Sequence, residues 1–495
     1  MPPIDATTED IDLAAQQAWK AFLIYRREPL ERRAEFMRAI ATELENKSAS
    51  LLRVAAEETN LAESRLRTEW LRTIFQLNSY ADACRDGSWL DVRINTAVAD
   101  RTPPKPDLRK MLVPLGPVAV FGASNFPFAY STAGGDTACA FAAGCPVIVK
   151  AHPAHIRTSE LVAGAIGIAV SRTAMPQGIF SHLTGAANEV GEALVKHPLV
   201  KAVGFTGSFV GGKQIFDWAN GRREPIPVFA EMSSVNPVFL LPEKLRKTAS
   251  ELAKKLSSSI TVGVGQFCTN PGLIFGVESA SLRTFIKALG EEIRKMQPAT
   301  MLHAGIFKNY VERRGNALAQ EAVEMVAAAE VEPLFNQALP TIATVTGESF
   351  MANPVLHQEV FGPFSLVVRC RDMKQMIQIA GAMEGQLTTS LMATNNDIAK
   401  YGELVEAAKN ICGRLVLNGV PTGVEVCQAM HHGGPFPATT DSRFTSVGSD
   451  GIRRFARPIT YQNWPDELLP QELQNANPLG LWRSINNQIT KDGIS

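Results

Sequence analysis

The sequence has no excess of charge of either sign, because 49 Lys and Arg residues balance 49 Asp and Glu residues. It also contains no block of like charge, so neither a nucleic acid nor an acidic membrane surface is indicated as a partner. The longest apolar run, from Leu161 to Val170, is far too short to span a bilayer. The first residues are acidic and lack the basic-then-apolar order of a signal peptide. We therefore expect a cytoplasmic protein.

Cysteine is scarce and its spacing shows no pattern. The seven cysteines include no CxxC pair, and no Cys/His group has the spacing of zinc ligands, so we predict no metal site. Most are typical of small buried residues in a reducing compartment. This interpretation applies to Cys84, Cys139, Cys145, Cys370 and Cys412.

A chain of 495 residues is too long for one compact core. Residues 10–60 have a helical pattern that is interrupted only at Pro29. Beyond residue 113, short apolar strands alternate with amphipathic helices, which predicts a parallel, doubly wound α/β sheet. A second α/β series follows, so two domains should meet near residue 231. The segments 89–111 and 457–462 fit neither sheet and are typical of β-arms that pair with another subunit.

Cys268 has a context that the other cysteines lack. It follows a glycine-rich turn in VGVGQFCTNPG, and such a turn can hold the backbone open to a substrate. A thiol with an intrinsic pKa of about 8.5 needs a neighbouring group to become a nucleophilic thiolate. Glu231, at the end of a predicted strand, is a candidate base for water. Asn125 could donate to an oxyanion, or it could simply form a turn.

The signals for a cofactor are less specific. FTGS at 205–208 ends a predicted strand and opens a helix, which places backbone N–H groups where a phosphate can bind. There is no GxGxxG fingerprint, so an ordinary Rossmann dinucleotide site is not indicated. Lys150 closes the strand VIVK, where its ammonium could meet ribose hydroxyls or phosphate, or remain solvated.

Taken in order, six motifs resemble the aldehyde dehydrogenase superfamily from the helical N-terminus to about residue 463. They are SNFP with Asn125, VIVK with Lys150, GFTGS at 204–208, Glu231, GQFCT with Cys268, and QEVFGP at 358–363. The resemblance implies an α/β fold of two doubly wound domains with a β-arm region. The implied division is a dinucleotide-binding domain (1–91 and 113–230), a catalytic domain (231–445), and oligomerisation arms with a C-terminal tail (92–112 and 446–495).

The resemblance also implies an NAD(P)-dependent oxidation of a small-molecule aldehyde to a carboxylate through a thioester. Cys268 would be the nucleophile, Glu231 the general base and Asn125 the oxyanion donor. The arms imply a homodimer or homotetramer. The implied cofactor contacts are Lys150 with the adenosine ribose, Gly207 and Ser208 with the pyrophosphate, Glu359 with the nicotinamide ribose, and Phe361 with the nicotinamide ring.

Two departures from the family pattern point to one branch. Leu-Gly-Gly-Lys usually follows the base, but Met232-Ser233-Ser234-Val235 stands here, and Ser124 replaces a bulky residue before Asn125. Together with GGPFPATTDSRF, these features resemble the 2,5-dioxopentanoate dehydrogenases and a related fatty aldehyde dehydrogenase. We therefore expect 2,5-dioxopentanoate as substrate, with a fatty or other aliphatic aldehyde as the alternative. A phosphate-reducing, CoA-acylating or non-catalytic relative would tend to lack the base or the nucleophile.

The cofactor preference follows from a missing carboxylate. Many NAD-preferring relatives carry a Glu at the position of Pro153, and a carboxylate there would repel the 2′-phosphate of NADP. We predict that NADP is used at least as well as NAD, because Lys150, together with His155 or Arg157, leaves the region positive. The carboxylate of the expected substrate should also need an arginine, for which Arg157, Arg283 and Arg453 all remain open.

Overall fold

A computed structural model describes residues 4–494 of the chain. Residues 1–3 and 495, at the outer ends of the predicted first domain and tail, lie outside the described residues. The α-helices are α1 Thr8–Tyr25, α2 Leu30–Asn46, α3 Ser48–Thr59, α4 Glu63–Asp86, α5 Gly135–Ala143, α6 Ile156–Arg172, α7 Asn188–Lys196, α8 Phe209–Asn220, α9 Pro242–Thr261, α10 Ala280–Arg294, α11 Ala304–Leu318, α12 Gly347–Ala352, α13 Met373–Ala382, α14 Asn395–Lys400 and α15 Gly402–Ile411.

The strands form three larger sheets and one two-stranded ribbon. They are β1 Arg93–Asn95, β2 Leu108–Pro114, β3 Val118–Phe121, β4 Val147–Lys150, β5 Phe180–Leu183, β6 Ala202–Thr206, β7 Val228–Glu231, β8 Val238–Leu240, β9 Leu273–Val277, β10 Ala299–Thr300, β11 Glu324–Ala328, β12 Gln337–Ala338, β13 Thr341–Thr346, β14 Phe364–Cys370, β15 Gln386–Met392, β16 Cys412–Leu417, β17 Ala456–Gln462, β18 Arg483–Ile485 and β19 Gln488–Thr490.

The first sheet is parallel, with strand order β5-β4-β3-β6-β7. Its central strands β3, β4 and β6 are apolar and mostly buried, as expected for a sheet covered by helices on both faces. The register pairs Phe121 with Lys150, and Thr206 with Glu231. The carboxyl ends of these strands therefore meet at one edge, which is where open α/β sheets bind ligands.

The second sheet has the order β11-β13-β14-β9-β8-β15-β16, and only its edge strand β11 is antiparallel. Here the loops that precede β9 and β14 carry the sequence motifs, since Cys268 comes before β9 and Glu359 before β14. The two sheets are linked near Glu231, which forms a β-bridge with Thr439. The two parallel sheets with their helices confirm the predicted α/β fold.

The third sheet joins segments that lie far apart in the sequence. β2 pairs antiparallel with β17 along its whole length, and β1 pairs parallel with β18, giving the order β17-β2-β1-β18-β19. The predicted arms therefore pair with each other within one chain. β17 alternates exposed and half-buried residues, so one face of this edge strand is open.

Most element boundaries agree with the sequence pattern, but three regions differ. The N-terminal helical stretch, expected to break only at Pro29, breaks again at Lys47, whose φ of −102° and ψ of 9° separate α2 from α3. The helix expected from Tyr130 begins only at Gly135, because the Glu69 carboxylate accepts the N–H groups of Phe128 and Ala129 and holds the preceding segment in turns. The helix expected near 397–409 is two helices, α14 and α15, separated at Tyr401. Among residues 4–494, none of the helices combines the length and the apolar character needed to cross a membrane.

Candidate active site

Cys268 lies at the end of a tightly turned, glycine-rich segment. Gly263, Val264 and Gly265 all have positive φ, and a Cβ on Gly265 would stand 2.3 Å from the carbonyl carbon of Gly362. Glycine is therefore required at position 265, where two loops approach each other. Asn236 fixes the next turn, since its Nδ2 donates to the Cys268 carbonyl oxygen at 2.8 Å. The result is a half-buried thiol that a substrate can reach.

The other cysteines mostly have the environment that the sequence predicts. Cys84, Cys139, Cys145 and Cys370 are buried. Cys412 is only partly buried, because it opens the edge strand β16, and Cys427 is exposed. Cys268 thus differs from the buried cysteines in being accessible and from Cys427 in having titratable neighbours.

Glu231, His432 and Cys268 form a cluster whose functional atoms all lie within 4.8 Å of one another. His432 Nε2 is 3.7 Å from Cys268 Sγ and 3.1 Å from Glu231 Oε1. The hydroxyl of Ser446 donates to the other carboxylate oxygen of Glu231 at 2.8 Å. Glu231 and His432 are almost completely buried, with 3% and 1% exposure. This burial strengthens the electrostatic coupling between the three groups.

The electrostatics of the cluster keep the carboxyl charged and the thiol protonated. Burial would raise the pKa of Glu231, but the charge and hydrogen bond of His432 and the hydroxyl of Ser446 outweigh burial and lower it. Burial and then the Glu231 charge raise the pKa of Cys268 well above its usual value. The thiol therefore needs a proton acceptor at hand before it can attack a carbonyl.

Asn125 lies directly beside the Cys268 loop. It is 8% exposed, and its Nδ2 donates to the carbonyl oxygen of Gln266 at 3.1 Å. Its own carbonyl oxygen accepts a hydrogen bond from Arg65 Nη2 at 2.7 Å. The structure thus brings Asn125 to the nucleophile, and in this conformation its side-chain amide is hydrogen-bonded to the loop that carries Cys268.

The start of α8 has the geometry expected for an anion-binding helix N-terminus. Ser208 caps the helix by accepting the N–H of Gly211. Gly207 donates its N–H to the Glu231 carbonyl oxygen at 3.0 Å, and this bond connects the turn to the strand that ends at the candidate base. Ser233, which replaces a family glycine, accepts the N–H of Phe209 at 3.2 Å. One of the free donors of α8 is therefore already occupied by this serine.

Lys150 ends β4 at the same sheet edge and is half-buried. Burial lowers the pKa of Lys150, and the charge of Asp5 opposes that shift. Asp5 itself accepts the N–H groups of Ala186 and Ala187, at the beginning of α7. Pro153, exposed, opens a short 3₁₀ turn three residues beyond the lysine.

The two residues expected to add positive charge near Pro153 do not do so. His155 is fully buried and hydrogen-bonds the Ala123 carbonyl oxygen at 2.8 Å, and burial lowers its pKa, so it is neutral at pH 7. Arg157 is 59% exposed and pairs with Glu57 at 3.1 Å. Lys150 is thus left as the cation of this region.

Glu359 and Phe361 lie on the loop before β14, and both are half-buried. Burial raises the pKa of Glu359 to about 7, against hydrogen bonds from the Ser233 hydroxyl and the Ser234 N–H. A carboxyl group, a lysine and a helix N-terminus along one cleft are the groups that ribose hydroxyls and a pyrophosphate require. The residues present therefore fit a dinucleotide.

Residues 3–437 match the model of the aldehyde dehydrogenase family. The chain belongs to this family. Its members use NAD(P), which agrees with the dinucleotide groups along the cleft.

Two relatives are similar over almost the full length. The chain is 47% identical to alpha-ketoglutaric semialdehyde dehydrogenase 2 of Azospirillum brasilense, over 97% of this chain and 93% of the relative. It is 44% identical to alpha-ketoglutaric semialdehyde dehydrogenase of Acinetobacter baylyi, over 98% and 93%. Among solved structures, a 1-pyrroline-5-carboxylate dehydrogenase has a TM-score of 0.77 at 20% identity, over 93% of this chain and 86% of that one. This last likeness shows the fold alone.

Sequence reasoning missed His432 and Ser446, which the fold places on Glu231. Both belong to the irregular segment after β16, where no periodicity indicates which side chains point inward. One signal was available in HHGG at 431–434. A Cβ on Gly433 would approach the Phe444 carbonyl oxygen to 2.7 Å, and one on Gly434 the Gln386 carbonyl oxygen to 2.1 Å. Paired glycines beside a histidine therefore mark a close approach of chains, which is typical of a functional loop.

Proposed function

We propose that this aldehyde dehydrogenase oxidises 2,5-dioxopentanoate to 2-oxoglutarate, and that NADP serves at least as well as NAD. The observation that carries the chemistry is the accessible Cys268 thiol beside the buried Glu231 and His432. The substrate is supported by the two relatives at 44–47% identity, whose names state alpha-ketoglutaric semialdehyde as their substrate. The branch motifs around Ser233 and GGPFPATTDSRF favour the same substrate.

Acylation begins with a proton transfer. The Cys268 thiol releases its proton to water in the cleft. His432 Nε2, whose hydrogen is donated to Glu231 at 3.1 Å, lies 3.7 Å from Cys268 Sγ and stabilises the thiolate. The thiolate then forms a C–S bond to the aldehyde carbon, while the carbonyl oxygen becomes an oxyanion. Asn125 Nδ2 and the Cys268 N–H donate to that oxygen. Each such donor is worth about 3–4 kcal/mol of barrier stabilisation.

Deacylation is the task of Glu231. A bound NAD(P) would supply the hydride acceptor that converts the tetrahedral adduct into a thioester on Cys268. Glu231, kept as a carboxylate by its neighbours, takes a proton from water. The oxygen of that water attacks the thioester carbon, the C–S bond breaks, and the carboxylic acid leaves as Cys268 regains a proton.

The cofactor contacts are assigned to the groups along the cleft. Lys150 would bind the adenosine ribose, Gly207 and Ser208 the pyrophosphate, Glu359 the nicotinamide ribose and Phe361 the nicotinamide ring. The exposed Pro153 presents no charge to a 2′-phosphate, whereas Lys150 attracts it. These two features support NADP over NAD.

The division of the chain and its assembly belong to the same proposal. The first sheet, within residues 1–91 and 113–230, is the cofactor domain, and residues 231–445 form the catalytic domain. The sheet of arms, from residues 92–112 and 446–495, mediates a homodimer or homotetramer. The open face of the edge strand β17 supports this role, because an unpaired edge is a template for another chain.

The decisive experiment is a panel of aldehydes assayed with NAD and with NADP by absorbance at the wavelength of the reduced cofactor. We expect the highest kcat/KM with 2,5-dioxopentanoate, and a kcat/KM with NADP that equals or exceeds that with NAD. A higher kcat/KM for a long unbranched aldehyde would instead assign the enzyme to fatty aldehydes. A tenfold preference for NAD would contradict the cofactor proposal.

A further inference from the structure

Arginines on two sides approach the nucleophile. Arg65 and Arg72 belong to α4, on the side of Asn125 and Tyr130, and Arg414 belongs to the edge strand β16. Burial and the Glu231 charge raise the pKa of the Cys268 thiol, and the charge of Arg72 opposes that shift. Burial lowers the pKa of Arg414, and the charge of the Cys268 thiolate opposes that shift. Both arginines therefore interact electrostatically with the reacting sulfur.

Arg65 and Arg414 are occupied by the protein. The Arg65 guanidinium lies 4.8 Å from the centroid of the Phe126 ring and 5.2 Å from that of Phe267, and it donates to the Asn125 carbonyl oxygen. Arg414 donates to the carbonyl oxygens of Gly423 at 2.8 Å and of Pro421 at 2.6 Å. Both side chains thus hold the walls of the site in place.

All three arginines have one buried nitrogen without a hydrogen-bond partner among the described residues, but Arg72 makes the fewest contacts, namely one hydrogen bond and one ring contact, with no salt bridge. Its Nη2 donates to the Tyr130 hydroxyl at 3.1 Å, and its guanidinium lies 5.5 Å from the centroid of the Tyr130 ring. Within residues 4–494, its Nε is buried without a hydrogen-bond partner. Tyr130 in turn faces the cluster, with its ring centroid 6.4 Å from that of His432. A half-buried guanidinium therefore lies against the aromatic ring that faces His432.

Glu69, an acidic residue on the same helix, does not form a salt bridge with Arg72. Glu69 lies one turn away on α4, but its Oε1 accepts the N–H groups of Phe128 and Ala129, and its Oε2 lies 3.8 Å from Arg65. Burial also raises the pKa of Glu69, so its negative charge is disfavoured. The positive charge of Arg72 thus remains available to an anion.

We propose that Arg72 binds the carboxylate at the far end of a short aldehyde acid whose aldehyde carbon reacts with Cys268, and so sets the specificity for 2,5-dioxopentanoate. The inference rests on the proposed function. The aldehyde and carboxylate carbons of this substrate are about 5 Å apart when extended, four C–C bonds in all. An arginine offers the two-pronged geometry that a carboxylate prefers.

The surface arginines left open by the sequence do not compete for this role. Arg283 is 66% exposed and pairs with Glu278 at 2.6 Å. Arg453 lies 3.8 Å from Asp450, and Arg157 pairs with Glu57. Each has an acidic partner, and none contacts the residues around Cys268.

The test compares a charged and an uncharged substrate of the same length. For Arg72→Gln we expect kcat/KM with 2,5-dioxopentanoate to fall about 10- to 100-fold, the usual loss of a hydrogen bond to a charged group. With pentanal, kcat/KM should fall by a smaller factor, because this substrate loses only the effect of the Arg72 charge on the Cys268 thiol. The remaining activity shows that the variant is folded and acylates. Arg72→Lys should recover part of the loss. The matched control is Arg67→Gln on the exposed face of α4, where Arg67 is 60% exposed, and it should leave both values unchanged.

A second readout does not depend on turnover. Glutarate, a dicarboxylate without an aldehyde, should inhibit the oxidation of pentanal competitively in the wild type and in Arg67→Gln, and at least tenfold more weakly in Arg72→Gln. Equal losses with pentanal and with the keto acid, or unchanged inhibition by glutarate, would overturn the role of Arg72. A wild-type enzyme that does not prefer 2,5-dioxopentanoate over pentanal would instead overturn the proposed function.

Discussion

The two sides of the active site are built in different ways. On one side, Glu231 and Lys150 end strands of the parallel sheet, and Ser208 caps the helix that follows another. On the other side, His432 and Ser446 come from the irregular segment of residues 418–448, which lies between β16 and the third sheet. Both sides meet at the Glu231 carboxylate, which accepts hydrogen bonds from the second.

The difference has a physical cause. A strand end is fixed by the ladder of backbone hydrogen bonds, so a residue there has a defined direction whatever its neighbours are. His432 is instead held by contacts of its own, since its N–H bonds the Thr445 hydroxyl and its carbonyl oxygen accepts the N–H of Ser446. The strand side therefore supplies residues in fixed positions, and the irregular side supplies the groups that shift the pKa of Glu231.

The largest effects should come from the nucleophile, on the loop before β9, and from Glu231 on the strand side. Cys268→Ala removes the nucleophile and should lower turnover by roughly 10⁴-fold or more while cofactor binding persists. Glu231→Gln should give one burst of reduced cofactor and then stall, because only deacylation needs the base. Rapid-mixing absorbance measures the burst, and mass spectrometry should detect the acylated Cys268. Steady turnover of Cys268→Ala would refute the assignment of the nucleophile.

Glu231→Gln also tests the electrostatics of the cluster. The Glu231 charge raises the pKa of the Cys268 thiol, so its removal should lower that pKa. The rate of Cys268 alkylation by iodoacetamide should then rise at a lower pH than in the wild type. An unchanged alkylation profile would mean that burial alone controls the thiol.

The same contrast explains what the sequence could predict. The ends of β4 at Lys150 and β7 at Glu231, and the bounds of α7, follow from apolar periods and from Gly and Ser at the turns. The roles of His432 and Arg72 depend on contacts between separate segments, 201 residues apart for His432 with Glu231 and 58 residues apart for Arg72 with Tyr130. No local pattern encodes such contacts. The third sheet was predicted as arms that pair with another subunit, because the pairing of β2 with β17 within the chain joins segments far apart in sequence.

An intermediate effect is expected on the irregular side. His432→Gln removes the N–H donor that stabilises the Cys268 thiolate and should slow the burst roughly 10- to 100-fold, the usual loss for a hydrogen bond to a charged group. It also removes the main interaction that lowers the pKa of Glu231 against burial, so that pKa should rise. Deacylation needs the carboxylate and fails as the pH falls through its pKa. The acid limb of kcat should therefore move to higher pH.

The neighbouring histidine provides the control for that variant. His431 is half-buried and makes no hydrogen bond to Glu231 among the described residues, so His431→Gln should leave the burst rate and the acid limb in place. If both variants behave alike, His432 acts only by supporting the loop. If His432→Gln keeps the wild-type burst rate, His432 does not stabilise the Cys268 thiolate.

The smallest effect should come from Pro153, which the proposal places at the adenosine end of the cofactor, near Lys150 on the strand side. Two charges about 4 Å apart interact by about 4 kcal/mol at an effective dielectric constant of 20, so a carboxylate at position 153 should strongly oppose a 2′-phosphate. Pro153 is exposed, and salt screens such a pair, so we expect Pro153→Glu to weaken NADP binding about tenfold and NAD binding less than twofold.

Pro153→Gln, which lacks the charge, separates repulsion from the loss of the proline ring. Dissociation constants of both cofactors, measured by calorimetry at two salt concentrations, check the result. Equal weakening of NAD and NADP would place the 2′-phosphate away from Pro153, and Lys150 would then no longer account for the preference.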